Sequence, residues 1–316
     1  MTISDHLQDF HGLPVFEFPD AAPKAGLPAA GQVAWRVSIA PWDAKETWPE
    51  AFARFADTVD TAAVRALVVG SYGESDTTSA DVIEALVAAK HKLPALRAIF
   101  LGDITYEENE ISWIHQSEVK PLLDAFPKLT EFGVRGGADL GFSRLTHPAL
   151  RKLTVQTGGL GAEVVRGIGA SELPALEHLD LWLGVSWYGG DTSIADLEPL
   201  LSGARLPRLR HLALRNSEIQ DEIAAAIASA PVVAGLTSLD LSMGTLGNAG
   251  AEALLSGQPL THLTSLDLHH HFIGAAMQQR LRDALEPSGV IVDLSDAETE
   301  EDEDDPADRR YTAVSE

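Results

Sequence analysis

Apolar residues fall along this chain in two alternating rhythms. One is a short phrase, Leu-x-x-Leu-x-Leu, clearest at Leu209/Leu212/Leu214, Leu236/Leu239/Leu241 and Leu263/Leu266/Leu268, with first leucines 27 residues apart. Set in register, the phrase reads Val64/Leu67/Val69, Leu96/Ile99/Leu101, Leu129/Phe132/Val134, Leu150/Leu153/Val155 and Leu176/Leu179/Leu181 upstream, which makes eight copies. The other rhythm is helical. Val82, Ile83, Leu86 and Val87 follow Thr78-x-x-Asp81; Val119, Leu122, Leu123 and Phe126 follow Ser117; Ile194, Leu197, Leu200 and Leu201 repeat the spacing. The phrase reads as a strand and the stretch between as an amphipathic helix, and a 27-residue period holds one of each. Successive crossovers in one sheet keep one hand. The pattern therefore predicts an α/β fold, a right-handed solenoid or horseshoe with parallel strands on the concave face and helices on the convex face.

Steps between first phrase positions are 32, 33, 21, 26, 33, 27 and 27, so insertions sit between repeats in the N-terminal half. Terminal repeats need caps to cover their apolar faces. Val33 to Ile39 reads as a capping strand and Val290 to Leu294 as a closing one. The expected organisation is an N-terminal segment and cap over 1–63, the solenoid over 64–295, and a disordered acidic tail over 296–316 with six consecutive acids at Glu300 to Asp305. Such a run is a solvated end; its sharper alternative is a self-competing or basic-partner-binding arm.

Composition narrows the function classes. At 316 residues the chain exceeds an ordinary single core, but a solenoid escapes that limit because each repeat touches only its neighbours. Net charge is −24, of which −9 lies from Asp293 onward and −15 before it. An acidic field repels nucleic-acid phosphate and anionic lipid, so neither nucleic acid nor membrane is expected as a partner. The most apolar stretch, Ile223 to Leu236, is 14 residues, short of the roughly 20 that span a bilayer. There is no cysteine, which removes disulfides and thiolate metal sites and suits a reducing, cytoplasmic setting. The first thirty residues lack the basic start and apolar core of a secretion signal.

Side chains alternate across a strand, so residues between the leucines point into the hollow and stack about 4.8 Å apart in columns. One column runs Val68, Phe100, Gly133, Thr154, Asp180, Ala213, Asp240, Asp267, and the next Gly70, Gly102, Arg135, Gln156, Trp182, Arg215, Ser242, His269. Trp182, Trp187 and Tyr188, with Arg215 and His211, form the expected contact set, because exposed Trp, Tyr and Arg dominate protein-binding energetics. Asp180, Asp240, Asp267, His269 and Arg135 complete the candidate partner-binding surface. The insertion from Gly102 to Ile114 carries Asp103, Glu107, Glu108 and Glu110 as an acidic edge, with Ile111, Trp113 and Ile114 tucked back on the solenoid. It reads as a lip that receives a cationic group, since long ordered loops on rigid scaffolds often carry function.

Catalytic signatures are absent: no Gly-x-x-x-x-Gly-Lys-Ser/Thr, no Gly-x-Ser-x-Gly, no His-Glu-x-x-His, no cysteine nucleophile. Gly158-Gly159-Leu160-Gly161 follows a strand but lacks a phosphate-loop lysine, so it reads as a turn. Asp240, Asp267, His269 and His270 are a carboxylate and imidazole cluster that could hold a divalent ion. They support the alternative of a metal- or small-ligand-binding enzyme accessory or hydrolase, although Leu-Asp-Leu is also an ordinary repeat phrase. No metal or other cofactor is expected.

The text from Leu239 to Leu255, Leu-Asp-Leu-Ser-Met-Gly-Thr-Leu-Gly-Asn-Ala-Gly-Ala-Glu-Ala-Leu-Leu, resembles the ribonuclease-inhibitor-like class of leucine-rich repeats. Over its whole length the chain also resembles an uncharacterised family of bacterial leucine-rich-repeat proteins, through Gly12-Leu-Pro-Val15, Phe100-Leu-Gly-Asp-Ile104, Glu110-Ile-Ser-Trp-Ile114, Leu176-Glu-His-Leu179, Leu181-Trp-Leu-Gly184 and Asp267-Leu-His-His270. The resemblance implies the solenoid fold and a helper role, and assigns no catalytic residue. Where ordinary repeats carry a turn asparagine, this chain has Gly137, Gly158, Gly184, Ser217, Gly244 and His271, so its turns are expected to bond through backbone or water. Together these readings predict a non-enzymatic scaffold that binds a protein or peptide, basic in character, on its concave face.

Overall fold

The computed structural model describes residues 2–20, 26–298 and 310–316. Twelve strands join in chain order into one sheet: β1 (Asp9–Phe10), β2 (Leu13–Glu17), β3 (Ala34–Val37), β4 (Ala66–Val69), β5 (Ala98–Leu101), β6 (Glu131–Arg135), β7 (Lys152–Gln156), β8 (His178–Gly184), β9 (His211–Ser217), β10 (Ser238–Asp240), β11 (Ser265–Asp267) and β12 (Ile291–Asp293). β1 and β2 form an antiparallel hairpin, and every later neighbour is parallel. β1 and β12 stay at opposite edges, so the sheet is an open solenoid.

The middle phrase positions align across the whole sheet. Leu67, Ile99, Phe132, Leu153, Leu179, Leu212, Leu239 and Leu266 face one another in register, and none is more than 1% exposed. They pack beneath helices α1 (Trp48–Thr58), α2 (Ala80–Ala88), α3 (Lys120–Ala125), α4 (Ala162–Ala170), α5 (Ile194–Leu201), α6 (Gln220–Ile227), α7 (Asn248–Ser256) and α8 (Ala275–Leu285), which form the convex layer. α1 and α5 open with capping boxes, Thr47 with Glu50 and Ser193 with Asp196, that satisfy otherwise unbonded first-turn amides. The 21-residue step leaves no room for a helix between β6 and β7. That connection is laid down as isolated bridges, His115 to Ala138, Glu118 to Gly141 and Thr146 to Glu172.

Two expected boundaries shift. The strand expected as a cap is β3, an ordinary parallel member with its own helix α1, and β2 pairs with it in the same sheet, so no break falls at residue 63. Trp35 explains the continuity, since its wholly buried ring packs against Phe55 of α1 and extends the core row by one strand. At the other end, residues 299–309, with the acidic run, lie outside the described residues. Residues 310–316 are not a free tail, because Ala313 and Val314 are buried against the solenoid.

The turns also differ from expectation, because side chains, not only backbone, satisfy them. Gln116 Nε2 donates to the Arg135 carbonyl (2.7 Å), Thr157 Oγ1 to that of Trp182 (2.9 Å) and Thr245 Oγ1 to that of Ser217 (3.2 Å). Buried His271 does the work usually given to asparagine, its Nδ1 accepting the Ile273 amide (3.0 Å).

Candidate functional site

The concave columns stack in the expected register, but the chain covers part of its own hollow, with residues before β2 at the N-terminal end and residues 310–316 over Trp182 and Met243. Residues before β2 fold across the N-terminal end, where Phe10 meets Phe100 edge-on (5.9 Å) over Ala34, Ala66, Val68 and Ala98. This cover is pinned by Asp103, which is wholly buried. Its carboxylate accepts from Leu7 N (3.2 Å), Arg36 Nε (3.0 Å) and Arg135 Nη1 (3.4 Å). The lip reading is thus corrected. Asp103 does receive cations, but they are the chain's own, and Arg135 is 3% exposed, not a free contact. Glu107 stays exposed on the lip. Ile111 and Ile114 are tucked in as expected, whereas Trp113 points out.

Beside the N-terminal cover the hollow is open. A cavity of about 410 Å³ lies there, with Phe10 and His11 on the hairpin side and Glu131, Lys152, Gln156 and His178 on the sheet side. His178 and His211 face each other from adjacent strands with rings 3.8 Å apart and nearly parallel. Burial, then the neighbouring imidazole, pushes His178 down to about 3, and burial lowers His211 as well, so the stack is neutral at neutral pH.

Next along the face, Arg215 gathers three of the expected site residues, Asp180, Asp240 and Trp182, into one network. It makes a two-pronged bond to Asp180 (3.0 and 2.8 Å), approaches Asp240 (3.4 Å), and lies over the Trp182 ring (5.1 Å). Burial alone would lower the Arg215 pKa, but Asp180 outweighs it and the net shift is upward. Burial lifts the Asp240 pKa despite Arg215 and two bonds from Ser242. Asp180, Asp240 and Arg215 therefore neutralise one another more than they face a partner.

The four-residue carboxylate and imidazole cluster does not assemble. His270 turns its Nε2 to the Tyr311 carbonyl, and Asp240 is engaged as above. Among the described residues, the donors that converge are Asp267, His269 and Asp293, with ligand atoms within 4.8 Å of one another. Burial would raise Asp267, yet hydrogen bonds from the His269 ring and amide lower it, and the same ring bond raises His269.

Trp182 was expected to point outward for a partner. It does face the hollow, but it is 7% exposed because residues 310–316 lie on it, in a cluster with Ile111, Met243, Ala313 and Val314. Asn216 meets Val314 with both ends of its amide, accepting from Val314 N (2.9 Å) and donating to Val314 O (2.5 Å). Ala313 N donates to Met243 O (2.8 Å), and Ser112 Oγ donates to Ser315 O. Tyr188 OH bonds Glu316, while Trp187 beside it is 87% exposed and remains the available aromatic of the expected set.

Asn216 and Met243, which hold this segment, are not among the expected site residues. They share one place in the phrase with His270, 27 residues apart, and all three take a left-handed backbone, φ 53, 66 and 51. A polar or flexible side chain recurring at this place in three successive repeats was the available signal. No described helix is long and apolar enough to cross a membrane.

The family model described as leucine-rich repeat matches residues 206–228 and 236–255. Among solved structures, a protein from Bacteroides fragilis determined by a structural genomics consortium is similar, with 30% sequence identity and a TM-score of 0.72. The match covers 76% of this chain and 68% of that one. No curated protein matches significantly.

Proposed function

The chain belongs to the leucine-rich-repeat proteins, and from that premise we propose a non-enzymatic scaffold that binds a protein partner of basic character on its concave face. One observation supports the location: a cavity beside the N-terminal cover leaves the hollow open there, and it is framed by polar side chains from β6, β7 and β8. The net charge of −24 supports a basic partner, because an acidic surface steers cations toward it and rejects anionic competitors. Glu131 offers a carboxylate at the cavity, shared with Lys152 (3.0 Å) and His11 (2.9 Å). Exposed Trp187 supplies an aromatic of the kind that anchors protein interfaces.

A photo-reactive residue at Gln156, in the cavity, tests this against one at Glu163, exposed on α4. In native extract the Gln156 position is expected to capture one basic protein, with yield falling as salt rises. Equal capture from both positions, or an acidic partner, would overturn the reading.

A further inference from the structure

We infer, resting on the recognition role proposed above, that the groove across the strand ends from β11 to β7 is a peptide-binding site, which the chain's own residues 311–316 occupy as a tethered competitor. Three repeats grip the segment at the same phrase position: His270 holds the Tyr311 carbonyl (3.1 Å), Met243 the Ala313 amide and Asn216 both backbone groups of Val314. The bonds to Ala313 and Val314 go to backbone, so they read an unfolded segment of any sequence. The segment forms no helix or strand of its own and bends at Ala313 as it crosses. Selectivity comes from the slot between Ile111, Trp182 and Met243, which admits the small apolar side chains of Ala313 and Val314. Gly158 lets the segment pass, because a Cβ there would strike the Ser315 carbonyl and Ser112 Oγ.

The resident segment is an imperfect ligand. Trp182 Nε1 and Thr312 Oγ1 are buried at this contact without a hydrogen-bond partner among the described residues. Buried donors are normally paired. A competing peptide that keeps two small apolar residues and places an acceptor against the indole N–H gains a bond that the resident segment lacks. Such a site takes a short irregular peptide, and on a chain of net charge −24 a peptide with flanking lysine or arginine is favoured over an acidic one.

The test uses the full-length chain with Ala313→Glu and Val314→Glu, which put charge into the apolar slot, and a fluorescein-labelled peptide of residues 310–316 as probe. Polarisation is expected to show saturable binding to the variant and at least about tenfold weaker binding to the native chain, whose tethered copy competes at high effective concentration. Adding Asn216→Gly, which tolerates the left-handed backbone, should abolish binding. A folded variant that ignores the peptide, or equal binding by native and variant chains, overturns the inference. If the double variant loses its circular-dichroism signature, Gly158→Ala ejects the segment without altering it and carries the same comparison. Loss of peptide binding with Gln156 capture intact removes the groove alone; loss of both removes the recognition face as well.

Discussion

Asp103 is the polar anchor of the N-terminal cover. Its carboxylate holds two guanidinium groups, Arg36 and Arg135, and the Leu7 amide, all inside the protein. A buried ion pair contributes little net energy against an apolar replacement of the same shape, but removing one partner leaves the other charge uncompensated. Arg36 keeps Glu17 (2.6 Å) when Asp103 is lost, whereas Arg135 falls back on neutral acceptors, Ile104 O and Gln156. Asp103→Asn should therefore lower the urea-unfolding free energy by about 3 to 5 kcal/mol and expose residues 2–12 to protease. Leu266→Ala should cost about 2 to 5 kcal/mol by cavity formation without changing the cleavage pattern. The contrast in proteolysis separates the two roles, and a protected N-terminus in the Asp103 variant would refute the pinning role.

At the scale of elements, β8 and β9 meet through the His178 and His211 stack, and this makes their pairing pH-dependent. With the folded His178 near 3 and the ordinary value 6.5, an unfolded imidazole binds a proton in that window that the folded one does not. Stability therefore rises with pH across the window and is lost as pH falls. His147 and His271 are lowered by burial and add to the slope, while His269 is raised and acts in the opposite sense, above the ordinary value. His178→Gln should flatten the fall in melting temperature between about pH 7 and pH 5; an unchanged slope would remove the stack as its source. The strands themselves were legible in sequence because burial of alternate positions repeats in every phrase, and each of the eight expected copies pairs in the expected register. The covers were not. Phe10 reaches Phe100 and Val314 reaches Asn216 across 90 and 98 residues, and such contacts leave no periodic mark on either partner. Trp182 was correctly placed on the concave side by alternation, yet its burial depends on a distant segment, so phase alone misjudged its availability.

For the molecule as a whole, charge and architecture pull against each other. An open solenoid with 47 acids and 23 lysines and arginines holds like charges along one continuous arc, and self-repulsion of this kind destabilises the folded state. Added salt shortens the Debye length from roughly 30 Å at 0.01 M to about 8 Å at 0.15 M, which screens repulsion between repeats. The same salt weakens surface pairs such as Arg280 with Glu252 and Arg144 with Glu172, but exposed pairs of this kind contribute little. The Asp103 cluster is buried and is screened far less. Repulsion among the excess acids outnumbers these local losses, so the melting temperature should rise by about 1 to 2 °C over that range of sodium chloride, a gain near 1 kcal/mol for a chain of this size. A flat or falling melting temperature would mean that the acids are already matched by local partners. The excess charge would then be unavailable to steer a basic ligand into the hollow, and the electrostatic part of the proposed recognition would fail with it.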